Sequence, residues 1–372
     1  MQIILLSGGS GKRLWPLSNN TRSKQFIKLL TAPDGSKESM VQRVVRQLRE
    51  AGIYDSITVA TSQAQRDVII NQLGEDIPIV TEPERRDTFP AIALASSHLA
   101  YERKCPADEV VIVMPCDPYT EAGYFETIRR MADAVKNNAA ELLLMGIKPT
   151  YPSAKYGYVV LANDVRDEGI LQVLRFTEKP DMRTAEKLIS EGAFWNGGVF
   201  AFRLGYMMEI VAQYIEADTF AEIRSRYGEF PKISFDYEVA EKAQSVAVVP
   251  FAGEWKDLGT WNTLTDELSE HAIGNVVMDN ESINTHIINE LEHPIMCIGA
   301  RNLVVAASHD GILIADKNKS ENIKTYADRL QRRPMFEERR WGKYKVVDTA
   351  EFPDGPTWEQ AKEHFQKNGW MD

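Results

Sequence analysis

The sequence has little cysteine, no long apolar run and a deficit of positive charge. Its 372 residues include three cysteines, Cys105, Cys116 and Cys297, none in a CxxC pair, so neither a disulfide framework nor a zinc knuckle is expected. No apolar run approaches the roughly 20 residues of a membrane span, and the apolar start is too short for a secretory leader. The 43 Lys+Arg against 54 Asp+Glu leave a net charge of −11, which disfavours nucleic-acid and membrane-surface binding. We expect a cytoplasmic protein that binds anions only at a local site.

The first 145 residues alternate short apolar runs with longer amphipathic stretches. The short aliphatic runs predict buried strands at 3–6, 57–60, 77–80, 110–114 and 142–145. The stretches with helical spacing predict helices at 40–50, 63–73, 91–103 and 124–136. Repeated strand–helix alternation predicts an α/β fold with a doubly wound, mostly parallel sheet and helices on both faces.

The pattern loosens after residue 149. We predict further strands at 158–161, 171–177 and 246–251, and helices at 182–190 and 206–214. Beyond residue 272, closely spaced β-like pieces separated by Asn, Asp and Gly turns predict a small C-terminal β domain. The predicted domains are therefore 1–272 and 273–330, with a charged, Trp-containing tail at 331–372 to which no fold is assigned.

A glycine-rich loop, Ser-Gly-Gly-Ser-Gly-Lys-Arg-Leu at residues 7–14, directly follows the first predicted strand. Glycines let the backbone turn sharply, and consecutive backbone N–H groups beyond a strand end form an anion-binding nest. The loop is not a Walker A motif, because Arg13 follows the Gly-Lys pair, and Leu14 excludes GxGxxG. We predict a phosphate cradle; the alternative is a tight turn with incidental basic residues.

Four cations lie close together after the first strand: Lys12, Arg13, Arg22 and Lys24. Open α/β sheets bind ligands beyond the carboxyl ends of their strands. In an acidic protein, Arg13 and Lys24 near the end of the first strand are predicted to stabilise together the charge of a reacting triphosphate. Taken alone, Lys24 would more often be a solvated lysine.

Two aspartates are candidate metal ligands. Asp117 follows the fourth predicted strand, and Asp257 lies in the run Trp-Lys-Asp-Leu-Gly-Thr-Trp. Mg²⁺ prefers one or two carboxylates completed by phosphate oxygens and waters, so we predict a Mg²⁺ site beside the loop. The alternatives are a turn residue before Pro118 and an N-cap for a helix that starts near Thr260.

Two clusters are typical of sugar binding. Phe-Thr-Glu-Lys-Pro at 176–180 ends a strand with an adjacent acid and base, and Phe-Trp-Asn-Gly-Gly-Val-Phe at 194–200 places an amide among aromatics and glycines. Carbohydrates are bound by carboxylates, amides and aromatic walls. The alternative for the second cluster is a glycine bulge in a buried aromatic strand.

These motifs, in this order, closely resemble those of the sugar-1-phosphate nucleotidyltransferases over residues 1–330. The matching segments are 8–18, 24–26, 82–83, 90–94, 156–158, 176–180, 195–198, 235–237 and 255–261. The Leu-Trp-Pro-Leu-Ser and Lys-Gln-Phe runs favour the mannose-1-phosphate guanylyltransferase branch. The resemblance implies a Rossmann-like nucleotidyltransferase fold and an enzyme that uses Mg²⁺, GTP and mannose 1-phosphate. The sugar phosphate would attack the α-phosphorus of GTP in line, and pyrophosphate would leave.

The resemblance also implies roles for individual residues. Those implied to be catalytic are Arg13 and Lys24, and those implied to bind nucleotide are Gly8, Gly9, Gly11 and Asp87. Those implied to bind the sugar phosphate are Gly157, Glu178, Lys179 and Asn196, and those implied to hold Mg²⁺ are Asp117 and Asp257.

The sequence departs from the family pattern at several positions. Lys12 replaces the usual Thr, Pro118 replaces the usual His, and Asp87-Thr88-Phe89 replaces Asn-Thr-Ala. Asp87 and Phe89 are expected near the base or ribose, so these departures bear on the choice of base rather than on the reaction class. Residues 340–346 resemble the opening of a cupin-like isomerase module without its His-rich metal site, so no mannose-6-phosphate isomerase activity is expected.

A homodimer is expected by analogy. The alternatives are the same chemistry with another sugar or base, and a non-catalytic sugar-nucleotide sensor.

Overall fold

A nine-stranded mixed sheet flanked by helices forms the centre of the protein. The computed structural model describes residues 1–9, 12–19, 21–166, 169–330, 334–346 and 358–367. The strands of this part of the chain are β1 (Gln2–Ser7), β2 (Leu30–Thr31), β3 (Lys37–Glu38), β4 (Ile57–Ser62), β5 (Ile79–Glu82), β6 (Val110–Pro115), β7 (Pro118–Thr120), β8 (Leu142–Ile147), β9 (Tyr158–Arg166), β10 (Ile170–Thr177), β11 (Phe194–Arg203), β12 (Val246–Phe251), β13 (Trp255–Asp257), β14 (Ala272–Gly274), β15 (Val276–Met278), β16 (His286–Asn289), β17 (Ile295–Cys297), β18 (Leu303–Ser308), β19 (Gly311–Asp316), β20 (Phe336–Arg339) and β21 (Gly342–Lys345). Its α-helices are α1 (Met40–Glu50), α2 (Arg66–Leu73), α3 (Thr88–Tyr101), α4 (Ala122–Lys136), α5 (Met182–Ser190), α6 (Leu204–Ala212), α7 (Phe220–Ser225), α8 (Trp261–Thr265), α9 (Ile323–Ala327) and α10 (Trp358–Lys367).

The strand order of the main sheet is β5-β4-β1-β6-β11-β8-β12-β10-β9. The first four of these strands are parallel, and Ile3 of β1 pairs with Ile57 of β4 and Ile112 of β6. This confirms the predicted parallel, doubly wound half. The chain leaves β1 for β4 on one side and returns through β6 on the other, which makes the β1–β6 boundary the topological switch point where such sheets bind ligands.

The prediction of a mostly parallel sheet is wrong for the other half. Strand β11 runs antiparallel between β6 and β8, so that Phe200 pairs with both Val113 and Leu144. Strands β9 and β10 are antiparallel neighbours, because a short turn can join strands only in that direction. The sheet is therefore mixed: in this half β12 pairs with β8 in parallel, whereas the other pairings are antiparallel.

Side chains along each strand point alternately to the two faces of the sheet, so a hydrophobic core forms on each face. Ile3 and Leu5 of β1 pack with residues of α1 and α4, whereas Ile4 packs with residues of α3 and α6 on the opposite face. All three side chains are fully buried. Helix α1 is capped by Ser39, whose hydroxyl accepts from the backbone N–H of Gln42 in a reciprocal capping box.

The C-terminal β region packs against the segment that follows the glycine loop. Strands β14, β16 and β18 form one parallel ladder, and β15 and β17 form another. One hydrophobic cluster joins Leu14 and Leu17 to Trp261, Val304 and Ala306. The domain boundary near residue 272 stays a prediction. In the tail, strands β20 and β21 form a hairpin that the sequence pattern did not predict.

No helix in the described ranges is both long and apolar enough to cross a membrane. The three cysteines are free thiols, and that of Cys116 is buried.

The packing of α8 leads to a stability prediction. Leu264 is 1% exposed within the cluster that joins the two parts of the chain, whereas Leu174 on β10 is 66% exposed. Leu264→Ala should lower the free energy of unfolding by about 3 kcal/mol through lost burial and a cavity, and Leu174→Ala by less than about 0.5 kcal/mol. Urea unfolding followed by circular dichroism measures both. Equal losses in the two variants would contradict this account of the packing.

Candidate active site

A cavity of about 560 Å³ opens where β1 and β6 end. Four of the predicted residues line it: Gly8, Gly9, Asp87 and Asp117. They come from the loop after β1, the start of α3 and the end of β6, which meet because parallel strands present their carboxyl ends at one edge. The cavity is large enough for a nucleotide-sized ligand.

The glycine turn is held by polar side chains beneath it. Gly9 has φ = 107°, a conformation that favours glycine. Its carbonyl oxygen accepts from the Ser23 hydroxyl at 2.9 Å and from the Gln65 amide at 3.2 Å, and Gln65 also donates to Ser23 at 2.6 Å. The predicted nucleotide-binding residue Gly11 lies outside the described residues. The described part of the turn is thus fixed by the segment that carries Lys24.

Lys24 lies between the two predicted metal ligands. Its Nζ is 2.9 Å from Asp117 Oδ2 and 2.8 Å from Asp257 Oδ1, and its side chain is only 20% exposed. Burial alone would lower the pKa of Lys24, but the charges of the two carboxylates outweigh it and raise that pKa above its ordinary value. Likewise, burial alone would raise the pKa of Asp257, and the Lys24 charge overcomes it. Lys24 is therefore not the solvated lysine of the alternative interpretation.

Strand pairing brings the two carboxylates together. Strand β13 pairs with β7, and Asp257 is in register with Pro118, next to Asp117. The helix-cap alternative for Asp257 is excluded, because Thr260 caps α8 with its own side chain. Both carboxylates contact one cation, so their oxygens converge on a common point. Two carboxylate oxygens suit Mg²⁺ when phosphate oxygens and waters complete the shell, although no group of three metal-binding side chains converges in the described ranges.

The predicted cluster of four cations is divided by the fold. Lys12 pairs with Asp328 at 2.8 Å, and Arg22 makes two 2.8 Å contacts with Glu290. Both acids come from the C-terminal region, which the local charge pattern could not reveal. Arg13 is exposed and makes no hydrogen bond or ion pair with the part of the chain that the structure describes. Lys24 is also paired, but with Asp117 and Asp257, the predicted metal ligands, and Asp117 lines the cavity. Arg13 and Lys24 therefore remain the candidates for phosphate contact.

A glycine bulge in β11 positions Asn196. The register of β11 against β8 shifts between Asn196 and Phe200, and Gly198 has φ = 67°. The backbone N–H of Gly198 donates to Asn196 Oδ1 at 3.0 Å. The bulge that was the alternative interpretation is therefore present, and it is also the device that turns Asn196 toward the site.

The predicted sugar-binding residues lie together. The backbone N–H of Asn196 donates to the Gly157 carbonyl at 2.8 Å, and Lys179 Nζ is 2.5 Å from Glu178 Oε1. A Cβ on Gly157 would lie 2.9 Å from the Phe176 ring and would also meet Glu178, so only glycine fits. Burial alone would lower the pKa of Lys179, but its hydrogen bond to Glu178 raises that pKa.

Asp236 connects the two halves of the site, and no site role was predicted for it. It lines the large cavity and accepts from Asn196 Nδ2 at 2.6 Å. Burial, and secondarily the charge of Glu178, raises its pKa to about 6. Glu82 and Arg85 also line the cavity. The motifs Glu-Pro at 82–83 and Phe-Asp-Tyr at 235–237 were the available signals for Glu82 and Asp236.

A second cavity of about 330 Å³ adjoins Asp257. Its walls are aromatic: the ring of Trp195 lies 5.0 Å from that of Tyr151 and 4.9 Å from that of Tyr156, and the Tyr156 ring lies 5.5 Å from that of Trp255. The sequence offered a signal for these walls, because Tyr156, Trp195 and Trp255 each stand directly before a residue of a predicted motif. Asp257 therefore lies at the aromatic-walled cavity, while its neighbour Asp117 lines the glycine-loop cavity.

Comparisons with known proteins agree with this geometry. A family model described as nucleotidyl transferase matches residues 2–272. The chain is 30% identical over 384 residues to the alginate biosynthesis protein AlgA of Pseudomonas aeruginosa, covering 93% of this chain and 76% of AlgA. It is 29% identical over 386 residues to the mannose-1-phosphate guanylyltransferase RfbM of Salmonella typhimurium, with 93% and 76% covered. A solved structure from Thermus thermophilus, described as a mannose-1-phosphate geranyltransferase, matches with a TM-score of 0.74 at 26% identity, covering 89% of this chain and 99% of that one.

The raised pKa of Asp236 leads to a pH prediction. Its ordinary pKa is 3.8 and its folded value is about 6, so the folded protein holds this proton more tightly than the unfolded chain. The resulting stabilisation is complete below pH 3.8 and is lost as the pH rises through about 6. Asp236→Asn has no such proton to lose. Relative to wild type, its free energy of unfolding should rise by about 2 kcal/mol between pH 4 and pH 7.

Urea unfolding of the wild type and Asp236→Asn at several pH values measures this difference. The control is Asp133→Asn, which changes an exposed carboxylate on α4 and should alter the free energy of unfolding by less than about 0.5 kcal/mol throughout. Parallel curves for wild type and Asp236→Asn would refute the assignment.

Proposed function

Because the chain belongs to the nucleotidyl transferase family, we propose that it transfers the guanylyl group of GTP to mannose 1-phosphate, giving GDP-mannose and pyrophosphate. Membership confirms the family resemblance inferred from the motifs and the prediction of an enzyme rather than a sensor. The observation that carries the proposal is the Asp117–Lys24–Asp257 arrangement, whose Asp117 lines the glycine-loop cavity. The name of the RfbM relative, mannose-1-phosphate guanylyltransferase, supports the choice of substrates.

The charge arrangement supports a phosphate-transfer site. Gly8, Gly9 and Gly11 would cradle the GTP phosphates, while Arg13 and Lys24 would offset the negative charge that develops during the displacement. A phosphate oxygen of mannose 1-phosphate forms the new bond to the α-phosphorus as the bond to pyrophosphate breaks. No covalent enzyme intermediate is needed, because positioning and charge neutralisation supply the rate enhancement.

The two aspartates fit a Mg²⁺ ion, because their oxygens already converge on one cation, Lys24 Nζ. Asp117 and Asp257 would hold the ion. When bound, Mg²⁺ would neutralise phosphate charge as a Lewis acid. The chain itself supplies the fixed separation of the carboxylates, through the pairing of β13 with β7.

The sugar half of the site would orient the attacking phosphate. Lys179 would bind that phosphate, while Glu178, Asn196 and the backbone at Gly157 would contact the sugar hydroxyls. Asp236 holds the Asn196 amide at 2.6 Å, so the amide presents a defined face. On the nucleotide side, Asp87 lines the cavity and also caps α3 through Thr88, and we assign it to the base or ribose.

A substrate matrix tests the proposal. Pyrophosphate release is measured with four nucleoside triphosphates, each against mannose 1-phosphate and several other sugar 1-phosphates, in the presence of Mg²⁺. GTP with mannose 1-phosphate should give the highest kcat/KM. Turnover of a different pair would retain the chemistry and overturn the substrate assignment, and no turnover of any pair would overturn the function. Light scattering of the same sample tests the predicted homodimer.

The metal assignment has its own prediction. Asp117→Asn and Asp257→Asn should each lower kcat by at least about a hundredfold, the usual size for a lost electrostatic contact to the reacting group. The matched control is Asp133→Asn, which makes the same change far from the cavity and should keep wild-type kcat. Mg²⁺ titrations of each variant accompany the rate measurements. Unchanged rates in both site variants would rule out this pair as the metal ligands.

A further inference from the structure

The C-terminal region forms hydrogen bonds with the segment that links the glycine loop to Lys24. We call residues 12–19 and 21–22 the loop flank. The hydroxyl of Ser308 donates to the Pro16 carbonyl at 2.7 Å, and the Asn19 amide donates to Asp310 at 2.8 Å. None of these contacts touches the cavity, and each joins the flank to a residue beyond the family match at 2–272.

The strongest of these contacts is the pair between Arg22 and Glu290. Both terminal nitrogens of the guanidinium lie 2.8 Å from the two carboxylate oxygens, a two-point geometry that fixes orientation as well as distance. The Arg22 side chain is 14% exposed, and its guanidinium also lies 5.5 Å from the centre of the Phe336 ring in the tail hairpin. Exposed single-point pairs contribute little, whereas this pair is bidentate, and its Arg22 and Glu290 side chains are 14% and 31% exposed.

Arg22 is followed directly by the residues that hold the site. Ser23 is fully buried and bonds the Gly9 carbonyl, and Lys24 bridges Asp117 and Asp257. A rotation of the chain at Arg22 would therefore move the glycine turn and the bridging ammonium together. A displacement of about 1 Å is enough to cost a large part of the rate of a positioned reaction.

We propose that Glu290 is a positioning residue for nucleotidyl transfer: through Arg22 it fixes Ser23 and Lys24, and so the turn that receives the nucleotide phosphates. The C-terminal region thereby becomes part of the active-site architecture without contacting substrate. This inference rests on the proposed function for its kinetic consequence, but its structural part does not depend on the identity of the substrate.

The competing view is that Arg22 belongs to the phosphate site and Glu290 only masks it. The two views predict opposite signs. If Glu290 positions the turn, Glu290→Gln should raise the KM for the nucleotide about tenfold, the size of one lost charge-assisted hydrogen bond, with the KM for the sugar phosphate unchanged. If Glu290 masks Arg22, the same variant should lower the nucleotide KM.

The experiment compares Glu290→Gln, Arg22→Gln and the double variant in the full chain. Because Glu290 acts through Arg22, the double variant should be no worse than Arg22→Gln alone. Glu270→Gln is the matched control, since it removes a 2.8 Å pair with Lys37 that lies outside the loop flank, and its nucleotide KM should equal that of wild type. Additive losses, an unchanged KM or a lowered KM in Glu290→Gln would each overturn the proposal.

Amide hydrogen exchange without substrate gives a second readout. Peptides covering residues 7–26 should exchange about tenfold faster in Glu290→Gln than in wild type, with exchange elsewhere and in Glu270→Gln unchanged. Unchanged exchange in residues 7–26 would overturn the proposal, even if the enzyme were active. If no substrate pair turned over, the proposed function would fail, and the exchange result would still decide whether Glu290 holds the turn.

Discussion

The Lys24 ammonium, held between the carboxylates of Asp117 and Asp257, is the contact on which the arrangement of the site depends. Two carboxylates whose oxygens converge repel one another unless a positive charge lies between them. The fold meets this condition with a lysine whose charged form the two acids stabilise. The arrangement keeps the two carboxylates close together, as a divalent cation accompanied by phosphates requires.

Lys24 can have this position only because the chain around it is held on several sides. Ser23 is tied to Gly9 and Gln65 beneath the glycine turn, and Arg22 is tied to Glu290 from the C-terminal region. Part of the acidic excess behind the net charge of −11 lies beside the loop flank. Acidic residues far along the chain neutralise the cations of the loop flank, so the positive charge that remains near the cavity is confined to a few side chains.

The predictable part of the fold was the part built from local patterns. Helices α1 and α5 and strand β12 have the predicted bounds, because each is a single amphipathic or aliphatic run with clear ends. The insertion of β11 between β6 and β8 was not predictable, since a strand's neighbours depend on side chains distant in sequence. The same limit applied to Asp236: its position in the motif was visible, but its link to Asn196 and its raised pKa arise from burial in the assembled site.

The sequence by itself determined the family, the parallel half of the sheet and four of the residues that line the cavity at its carboxyl edge. Periodicity and short motifs are local properties, and parallel strands separated by helices have few alternative arrangements. The tertiary structure alone decided which acids these cations meet. Lys12, Arg22 and Lys24 look alike in the sequence, yet the first two pair with Asp328 and Glu290 of the C-terminal region, and Lys24 pairs with Asp117 and Asp257 at the site. An electrostatic interaction is set by distance in space, which folding decides and sequence separation does not.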